Sequence, residues 1–383
     1  MMFSAIQNSK FKIQNSLPRL LFGIILLITA DAPAAPPETA RFPSLLSSIR
    51  ISAPLSFCGE PAPIDRQEIK ERMEKELLLM LWDRPQIILW IKRAHRFLPL
   101  IEDMLKAAQM PPDLKYVSII ESALRPHVGS PKGAIGFWQF MPATAQNYGL
   151  RVDTRFDQRR NIFAATEAAI LYFKNLYTRF GSWSLAAAAF NMGEAGLAAE
   201  ILAQGTDDYY RLYLPLETQR YVFRIIAAKR ILSHPKAYGF EIKKRDLYPQ
   251  LRYDRIELAL TQETPIRLVA EAAKTSFKKI KDLNPEIRGH YLPKGTLSLL
   301  IAEGSLKNFH KRFAALMENW QADKGRRLYV VQQGDNLSSI SDRFNVPLPA
   351  LLIWNRLNPS RPIHPGDRLI IAPDKIDSGQ KKE

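Results

Sequence analysis

The chain contains 383 residues, enough for two or three domains that each bury a core of their own. Its 54 Lys and Arg residues outnumber 38 Asp and Glu residues, so the formal net charge is +16. This excess favours a polyanionic partner, and charge alone leaves open nucleic acid, anionic lipid and anionic cell wall. The single cysteine, Cys58, excludes an intramolecular disulfide, and the six histidines are too scattered for a metal site, so we expect no metal or other cofactor.

The N-terminal residues 1–34 have the pattern of a secretory signal peptide. An apolar run over residues 20–30 is followed by small residues in A-x-A spacing and is preceded by three basic residues, Lys10, Lys12 and Arg19. The run is shorter than the about 20 apolar residues that a membrane-spanning helix needs. We therefore expect cleavage after Ala34 and an exported protein in the periplasm or cell envelope, which disfavours nucleic acid as the partner. An uncleaved anchor or a buried core helix is the alternative, so peripheral or anchored membrane association stays open.

Residues 35–65 are rich in Pro, Ser and Ala without a sustained period, which predicts a linker. Within this segment, residues 55–58 have roughly the form of a lipidation motif. However, Phe57 is bulky where such a motif has a small residue, and Cys58 lies far behind the apolar run. We therefore predict that Cys58 is not lipidated.

Residues 66–240 have a helical pattern almost throughout. Apolar residues recur at spacings of three and four, as in the stretches 101–108 and 162–176. Asn161 is placed to cap the start of a helix, and three glycines fall just after helical runs, at Gly149, Gly181 and Gly193. This segment is predicted to be an all-helical domain.

The pattern changes after Pro235, where two similar units follow each other over residues 252–303 and 327–374. Each consists of a predicted strand, two short helices and a last strand, and a polar tail over residues 375–383 ends the chain. Four apolar pairs keep the same separation between the two units: Ile266/Leu337, Val269/Ile340, Phe277/Leu348 and Ile280/Leu351. This register indicates two copies of one βααβ unit, of which the first is degenerate.

Glu121 is the strongest candidate for a catalytic residue in the helical segment. It lies on a predicted helix that begins near Pro111 and ends near Arg125, beside the apolar stripe Leu114, Val117, Ile120 and Leu124. A carboxyl group on a buried face loses hydration, which raises its pKa toward the range of a general acid. The alternatives are a glutamate that reaches water or a structural ion pair.

Three further segments add groups suited to a sugar site. The loop over residues 130–136 contains Gly133 and Gly136, which allow close backbone approach to a ligand. The next residues, 137–140, place aromatic rings beside the amide of Gln139. Asn191 then ends an Ala-rich helix immediately before Met192 and Gly193. Each signal is weak alone, because aromatic stripes usually belong to a core.

Together and in this order, the segments resemble the lytic transglycosylase (SLT) domain family. The family's E-S core is present at Glu121–Leu124, and its S-x-x-G-A-x-G-x-W-Q-F-M-P-x-T-A stretch at Ser130–Ala145. Its A-Y-N-x-G element is present at Ala189–Gly193, with Phe190 in place of the usual tyrosine, and its E-T-x-x-Y-V element at Glu217–Val222. The second βααβ unit resembles a LysM module in its Gly-Asp-Asn-Leu turn, its Trp-Asn pair and its Pro-Gly-Asp-Arg-Leu segment.

The resemblance implies a mainly α fold, with a lysozyme-like (goose-type) helical catalytic domain followed by small βααβ LysM modules. It implies cleavage of the β-1,4 bond between N-acetylmuramic acid and N-acetylglucosamine, with Glu121 as general acid and base and a 1,6-anhydromuramoyl product. By carry-over, the substrate-binding residues are Ser130, Gly133, Gln139, Phe190, Asn191 and Tyr221. The residues that would bind glycan in the LysM module are Gly334, Asp335, Asn336, Leu337, Trp354 and Asn355. The implied partner is the peptidoglycan glycan strand, and the oligomeric state stays open.

Two other functions fit parts of the pattern. A hydrolytic muramidase of the same fold would need a second carboxylate, for which Asp153 and Asp157 are the candidates. Its products would have a reducing end, whereas those of a lytic transglycosylase would not. A non-catalytic peptidoglycan-binding protein would bind sacculi and release nothing, and the intact Glu121 and Gln139 argue against it.

Overall fold

The computed structural model describes residues 43–51, 54–324, 328–358, 360 and 362–371. The predicted signal peptide over residues 1–34 and the predicted tail over residues 375–383 lie outside these ranges. The remaining residues form one compact unit with helices in its first part and βααβ units in its second.

Helices dominate the described residues before 252, which confirms the mainly α prediction. They are α1 (Leu45–Ile49), α2 (Gln67–Trp82), α3 (Arg84–Ala107), α4 (Lys115–Ser122), α5 (Pro142–Asn147), α6 (Ile162–Phe180), α7 (Trp183–Met192), α8 (Glu194–Gln204) and α9 (Leu216–Ser233). Short 3-10 turns precede α4 and α6, at Pro112–Leu114 and Gln158–Arg160.

Helix α7 lies at the centre of this helical part. Its residues 184–189 are all buried, and four of them are alanines, whose small side chains let α6, α8 and α9 pack closely around the helix. In the described part of the chain, no single helix is long and apolar enough to cross a bilayer. Helices α7 and α8, which meet at a bend of 120°, pass that test of length and composition only when they are taken as a pair.

The predicted ends of α6 and α7 agree with the structure, whereas α4 ends at Ser122, before the predicted end near Arg125. The Asn161 Oδ1 atom accepts hydrogen bonds from the N–H groups of Phe163 and Ala164, which caps α6. Gly181 ends the same helix in the left-handed conformation, with φ of 67°. Gly193 follows α7 with φ of 94°.

The linker prediction for residues 35–65 is wrong for its C-terminal part. Strands β1 (Ser56–Phe57) and β2 (Glu60–Pro61) form a hairpin whose Phe57 side chain is fully buried in the helical core. The Glu60 carboxylate accepts hydrogen bonds from the first N–H groups of α7, at Trp183 and Ser184. Because these partners lie more than a hundred residues away in the chain, local composition gave no sign of them.

Cys58 lies in the turn of this hairpin, with φ of 51°. Its N–H donates to the Asp113 Oδ2 atom over 2.8 Å. Burial, followed by the charges of Asp113 and Glu60, raises the pKa of the Cys58 thiol. Cleavage of the chain before Cys58 would remove strand β1 from the core, which supports the prediction that this cysteine is not a lipidated N-terminus.

The second part of the chain contains the two βααβ units. The first comprises β3 (Tyr253–Leu260), β4 (Thr264–Pro265), α10 (Ile266–Ala272), α11 (Phe277–Leu283), β5 (Tyr291–Leu292) and β6 (Gly295–Ala302), and α12 (Phe309–Lys324) follows it. The second comprises β7 (Leu328–Val330), α13 (Leu337–Arg343), α14 (Leu348–Asn355) and β8 (Arg368–Ile370). Strands β3 and β6 pair antiparallel, as do β4 with β5 and β7 with β8.

The two units share their internal hydrogen bonding. In the first unit, the Asn284 side chain donates to the Leu300 carbonyl and accepts from its N–H. In the second, Asn355 does the same with Ile370. The paired helices also begin at the residues that the sequence register matched, α10 with α13 and α11 with α14. This shared geometry supports two copies of one unit.

The first unit docks onto the helical part through the segment before α6. The Asp157 N–H donates to the Glu286 carbonyl, and the Arg288 N–H donates to the Arg155 carbonyl, each over 2.8 Å. Phe156, between them, is buried in the core of the first unit. The unit is therefore a fixed part of the helical body in this structure.

This docking predicts different effects for two truncations. A chain that ends at Leu247 leaves Phe156 uncovered and loses the two backbone hydrogen bonds, so its melting temperature should fall by about 10 °C. A chain that ends at Asp323 keeps the first unit and should melt like the full chain. Thermal unfolding followed by circular dichroism makes the comparison. Equal melting of the two truncated chains would contradict the docking.

Candidate active site

Glu121 lies on the last turn of α4, where the helix is cut short. The next two residues, Ala123 and Leu124, are left-handed, with φ of 52° and 57°. Residues other than glycine rarely adopt this conformation, and such strain often occurs at functional sites. Glu121 as a whole residue is half-buried at this abrupt helix end, and burial of its carboxyl is the main cause of its raised pKa.

Tyr221 on α9 holds the carboxyl of Glu121. The Tyr221 hydroxyl donates a hydrogen bond to the Glu121 Oε1 atom, and the Tyr221 side chain is itself buried. Glu217 and Arg224 lie four residues before and three residues after Tyr221, which places all three on one face of α9. This face therefore supplies one hydroxyl, one carboxylate and one guanidinium near Glu121.

Burial raises the pKa of Glu121 to about 7. The hydrogen bond from Tyr221 and the charge of Arg224 lower this pKa, and the charge of Glu217 raises it slightly. Desolvation alone would raise the pKa of Glu121 further, and the hydrogen bond from the Tyr221 hydroxyl limits this increase. A carboxyl with a pKa near neutrality can donate a proton and later accept one, as general acid and base catalysis requires.

Ser122 connects helix α4, which carries Glu121, to the neighbouring loop. Its hydroxyl, which is buried, lies 2.9 Å from the Phe137 carbonyl and 3.1 Å from the Ser118 carbonyl. A hydroxyl shared between these acceptors ties the end of α4 to the segment that carries Gln139. Ser122 thereby fixes Glu121 relative to that loop.

Gln139 and Ser130 shape the loop itself. Gln139 has φ of 50°, and its Nε2 atom donates to the carbonyls of Val128 and Gly136 over 3.0 and 2.8 Å. The Ser130 Oγ atom accepts from the Ala134 N–H over 3.1 Å. These bonds use the amide nitrogen of Gln139 inside the loop, and its Oε1 atom accepts no hydrogen bond from the described residues.

For Gly136, the predicted close approach to a ligand is wrong. A Cβ atom at Gly136 would lie 1.8 Å from the Arg159 carbonyl oxygen, so the close approach is to this protein's own backbone. A Cβ atom at Gly133 would meet no other atom within 4 Å, but Gly133 has φ of 91°. Gly136 is required for packing and conformation, and the positive φ of Gly133 also favours glycine, whereas its approach to a ligand stays a prediction.

A buried ion pair that the sequence did not reveal supports the same loop. The Arg159 guanidinium binds both carboxylate oxygens of Asp157, over 2.8 and 2.9 Å. Its Nη1 atom also donates to the carbonyls of Gly133 and Phe140, on either side of Gln139. Arg159 and Asp157 are 4% and 1% exposed, and the Arg160 Nε atom lies 3.6 Å from the same carboxylate, so the buried negative charge is compensated by two arginines.

This pair bears on the two predicted second carboxylates. Asp157 is committed to Arg159 and is buried. Asp153 accepts hydrogen bonds from the Arg151 side chain and from the N–H groups of Arg155 and Phe156. Burial would raise the pKa of Asp153, but these hydrogen bonds lower it. Neither group is poised as a base.

The aromatic residues beside Gln139 form core, not the sugar lining that we expected. Phe137, Trp138 and Phe140 are 1–3% exposed, and the Trp138 indole donates to the Thr166 hydroxyl. Phe190 is half-buried and stacks on Phe173 at 4.7 Å. Of the aromatic side chains named for this part of the site, Phe190 is therefore the one that is partly exposed.

Asn191 is hydrogen-bonded to α9, the helix that carries Tyr221. Its Oδ1 atom accepts a hydrogen bond from the Thr218 hydroxyl over 2.7 Å, which connects the end of α7 to α9. This bond orients the side-chain amide and leaves its Nδ2 group as a donor. The sequence did not single out Thr218, although it lies in the E-T-x-x-Y-V element.

In the second βααβ unit, most of the predicted glycan-binding side chains serve the unit's own fold. The Asp335 carboxylate accepts hydrogen bonds from the Tyr329 hydroxyl and from Arg343. Asn336 caps α13, Leu337 packs against the small core, and Asn355 bonds β8. Gly334 lies in the turn before α13 with φ of 87°, and Trp354 is half-buried.

Comparison with known protein families gives two matches. Residues 99–212 match the Transglycosylase SLT domain, and residues 329–372 match the LysM domain. Both resemblances stated from the motifs are thereby confirmed. Tyr221 lies beyond the matched SLT segment.

Named relatives extend the similarity beyond the two matched segments. Membrane-bound lytic murein transglycosylase D of Escherichia coli (strain K12) is 33% identical over 296 residues, which cover 73% of this chain and 64% of that protein. The chain thus spans 64% of that relative's length. A putative tributyltin chloride resistance protein of Alteromonas sp. (strain M-1) is 34% identical over 110 residues, which cover 28% of this chain and 53% of that protein.

Two solved structures were compared with the fold. The 70 kDa soluble lytic transglycosylase from Escherichia coli gives a TM-score of 0.33 at 18% identity, covering 46% of this chain and 30% of that one. An inactive mutant of lytic transglycosylase Slt from Pseudomonas aeruginosa gives a TM-score of 0.28 at 17% identity, covering 39% of this chain and 26% of that one.

The buried ion pair yields a direct prediction. Arg159→Met removes both short hydrogen bonds to the buried Asp157 carboxylate and leaves Arg160, 3.6 Å away, as its cationic neighbour, so the free energy of unfolding should fall by about 3 kcal/mol. Arg151→Met removes an exposed arginine from the same segment and should change it by less than about 1 kcal/mol. Urea denaturation measures both values. Similar small losses for the two variants would show that the buried pair does not hold the loop.

Proposed function

We propose that this chain, which contains a transglycosylase SLT domain and a LysM domain, is a peptidoglycan lytic transglycosylase with Glu121 as its acid and base. The observation that carries the proposal is the Glu121 carboxyl, half-buried between α4 and α9, bonded by Tyr221 and raised in pKa to about 7. The bond cleaved is the β-1,4 bond between N-acetylmuramic acid and N-acetylglucosamine.

In the first step, protonated Glu121 donates its proton to the glycosidic oxygen as the bond to the muramoyl C1 atom breaks. The leaving N-acetylglucosamine takes that proton as a hydroxyl group. Glu121 is now a carboxylate, which the Tyr221 hydroxyl stabilises by its hydrogen bond. The carboxylate removes the proton of the muramoyl 6-hydroxyl, whose oxygen bonds to C1 and closes the 1,6-anhydro ring. Glu121 ends protonated, and no water is consumed.

A single acid is sufficient for this sequence, whereas a hydrolase that follows the two-carboxylate scheme needs a second one. Asp153 and Asp157 are occupied by hydrogen bonds and by Arg159. Glu217, which is exposed on α9, is a further carboxylate close enough for its charge to raise the pKa of Glu121. Glu217 is therefore the group to test for the hydrolytic alternative.

The other substrate contacts are proposed from side-chain polar atoms that form no hydrogen bond within the described residues. The Nδ2 group of Asn191 and the Oε1 atom of Gln139 would bind the sugar and its acetamido group, and Phe190 would offer an aromatic surface. Ser130 and Gly133 would act by shaping the loop, because Ser130 accepts a backbone hydrogen bond within it.

The LysM module is proposed to bind the glycan strands of peptidoglycan. Its contacts would come from the Gly334 turn and from Trp354, with Asp335, Asn336, Leu337 and Asn355 maintaining the surrounding fold. The place of action would be the cell envelope, in keeping with the predicted signal peptide and with the membrane-bound relative. Peripheral or anchored membrane association is compatible with this proposal.

Two substitutions test the chemistry. Glu121→Gln keeps the shape of the side chain but removes the proton, so release of anhydromuropeptides from sacculi should fall by at least about 10²-fold. Glu217→Gln should keep most of the activity. Mass spectrometry of the soluble products distinguishes 1,6-anhydro ends from reducing ends. Reducing ends, together with an inactive Glu217→Gln variant, would identify a hydrolase, and no soluble product at all from the wild type would identify a binding protein.

The pH dependence follows from the pKa of Glu121. Because the free enzyme must hold the proton that it donates, kcat/KM should fall about tenfold per pH unit above about 7. Initial rates on soluble glycan fragments measure this profile. A profile that already falls above pH 5 would mean that Glu121 is not desolvated.

Removal of the LysM module should weaken binding without changing the chemistry. A second tethered glycan site raises the effective substrate concentration at the first site. A chain that ends at Asp323 should therefore bind sacculi more weakly in a pull-down assay and keep its turnover on short soluble glycans. Unchanged sacculus binding, or lost turnover in a chain that still folds, would refute this division of roles.

A further inference from the structure

A cleft of about 610 Å³ lies where the first βααβ unit meets the helical part. Arg93 and Arg96 enter it from α3, Arg125 and His127 from the segment after α4, and Lys279 from α11. Its volume is within the range of about 300–1,000 Å³ that is typical of small-ligand sites.

The positive charge of this cleft is compensated only in part, through Arg252, which also lines the cleft and pairs with Glu303 over 3.5 Å. Among its described lining residues, Asp282 is the one acid, and it pairs with Lys278 outside the cleft. Arg93 and Arg125 form no ion pair within the described residues, and burial followed by the charge of Arg125 lowers the pKa of Arg93. Neighbouring guanidinium groups without a carboxylate favour an anionic ligand.

The charge continues into an adjoining cleft of about 360 Å³. The two clefts share His127 and Asp282, and the second adds Arg160, Lys281 and Arg288. Arg160 can only donate, so its 3.0 Å contact with the His127 Nδ1 atom makes Nδ1 an acceptor and leaves Nε2–H as a donor. The continuous surface thus offers donors of several kinds in a row.

The cleft also has apolar walls, which a simple anion would not need. They come from both parts of the chain and include Phe97, Leu124, Phe163, Leu283 and Leu300. Cationic groups above apolar walls suit a short peptide that alternates carboxylates with methyl-bearing or methylene-bearing side chains. In peptidoglycan, the stem peptides have this composition and carry carboxylates.

The cleft reaches the end of the catalytic helix. Arg93 donates to the Ala123 carbonyl over 3.3 Å, and Arg125 donates to the Ser122 carbonyl over 3.1 Å. These carbonyls belong to the end of α4, where a helix lacks internal donors and its dipole favours cations. An anion bound by the two arginines would therefore lie directly behind the residues that follow Glu121.

We propose that this basic cleft binds the carboxylate-bearing peptide stem of peptidoglycan. The proposal rests on the proposed function for its choice of anion, and it assigns the first βααβ unit a part in substrate binding. A strand whose stem occupies the cleft is held to the same helix end that positions Glu121.

Isothermal titration of a free stem peptide into the Glu121→Gln protein tests the proposal without turnover. The peptide should bind, and the same peptide with amidated carboxylates should bind at least about tenfold more weakly. The double variant Arg125→Gln/Lys279→Gln should lose a similar factor. The control Lys70→Gln/Lys174→Gln removes two exposed charges outside the cleft and should bind normally, with matched melting temperatures for all proteins.

Equal binding of the amidated peptide, or an equal loss in the control variant, would overturn the proposal. Inorganic phosphate or phosphatidylglycerol vesicles that displace the stem at similar concentration would assign the cleft to phosphate groups and would also overturn it. The proposal of enzymatic activity and the proposal of stem binding can be refuted independently of each other. Loss of the enzymatic proposal would appear as missing anhydro products with stem binding intact, and loss of this one as charge-independent binding with products still formed.

Discussion

The structure depends on one costly placement, the removal of the Glu121 carboxyl from water. The unfolded chain would release this proton at pH values near 4.5, whereas the folded chain holds it to about 7. The native state therefore binds more protons than the unfolded state in that window, and this residue lowers stability progressively as the pH rises through it. The proposed catalysis needs the same proton, so in this proposal the stability cost and the function have one origin.

Several long-range contacts keep that carboxyl in place. Tyr221 holds one oxygen, Ser122 ties α4 to the Gln139 loop, and Arg159 fixes the carbonyls on either side of Gln139. The segment that contains Arg159 is in turn docked to the first βααβ unit through Asp157 and Glu286. Both βααβ units contain the same asparagine hydrogen bonds to their last strand. The first unit is in addition docked onto the helical part of the chain.

Helix caps, helix starts and buried helix faces could be predicted from the sequence. The cap at Asn161, the glycine stop at Gly181 and the matched helix starts of the two units are set by residues near one another in the chain. The position of Glu121 on a buried helix face followed from apolar spacing. These predictions depend on local backbone preference and periodicity.

Contacts between distant segments could not be predicted from local sequence patterns. Phe57 was assigned to a linker because its core partners lie elsewhere in the chain, and Gly136 was linked to a ligand because the Arg159 backbone was not visible from sequence. The burial of Trp138 has the same cause. Tyr221 lies 100 residues after Glu121, and only the family resemblance joined them.

The ionisation of Glu121 is the most direct test of the central claim. Carbon-13 NMR of protein labelled at the glutamate carboxyl carbons, with Glu121→Gln used to assign the signal, gives its pKa without reference to activity. We expect a value of about 7 for the wild type, and a higher one for Tyr221→Phe, because that variant loses the hydrogen bond that favours the carboxylate. A wild-type value near 4.5, unchanged by Tyr221→Phe, would contradict the account.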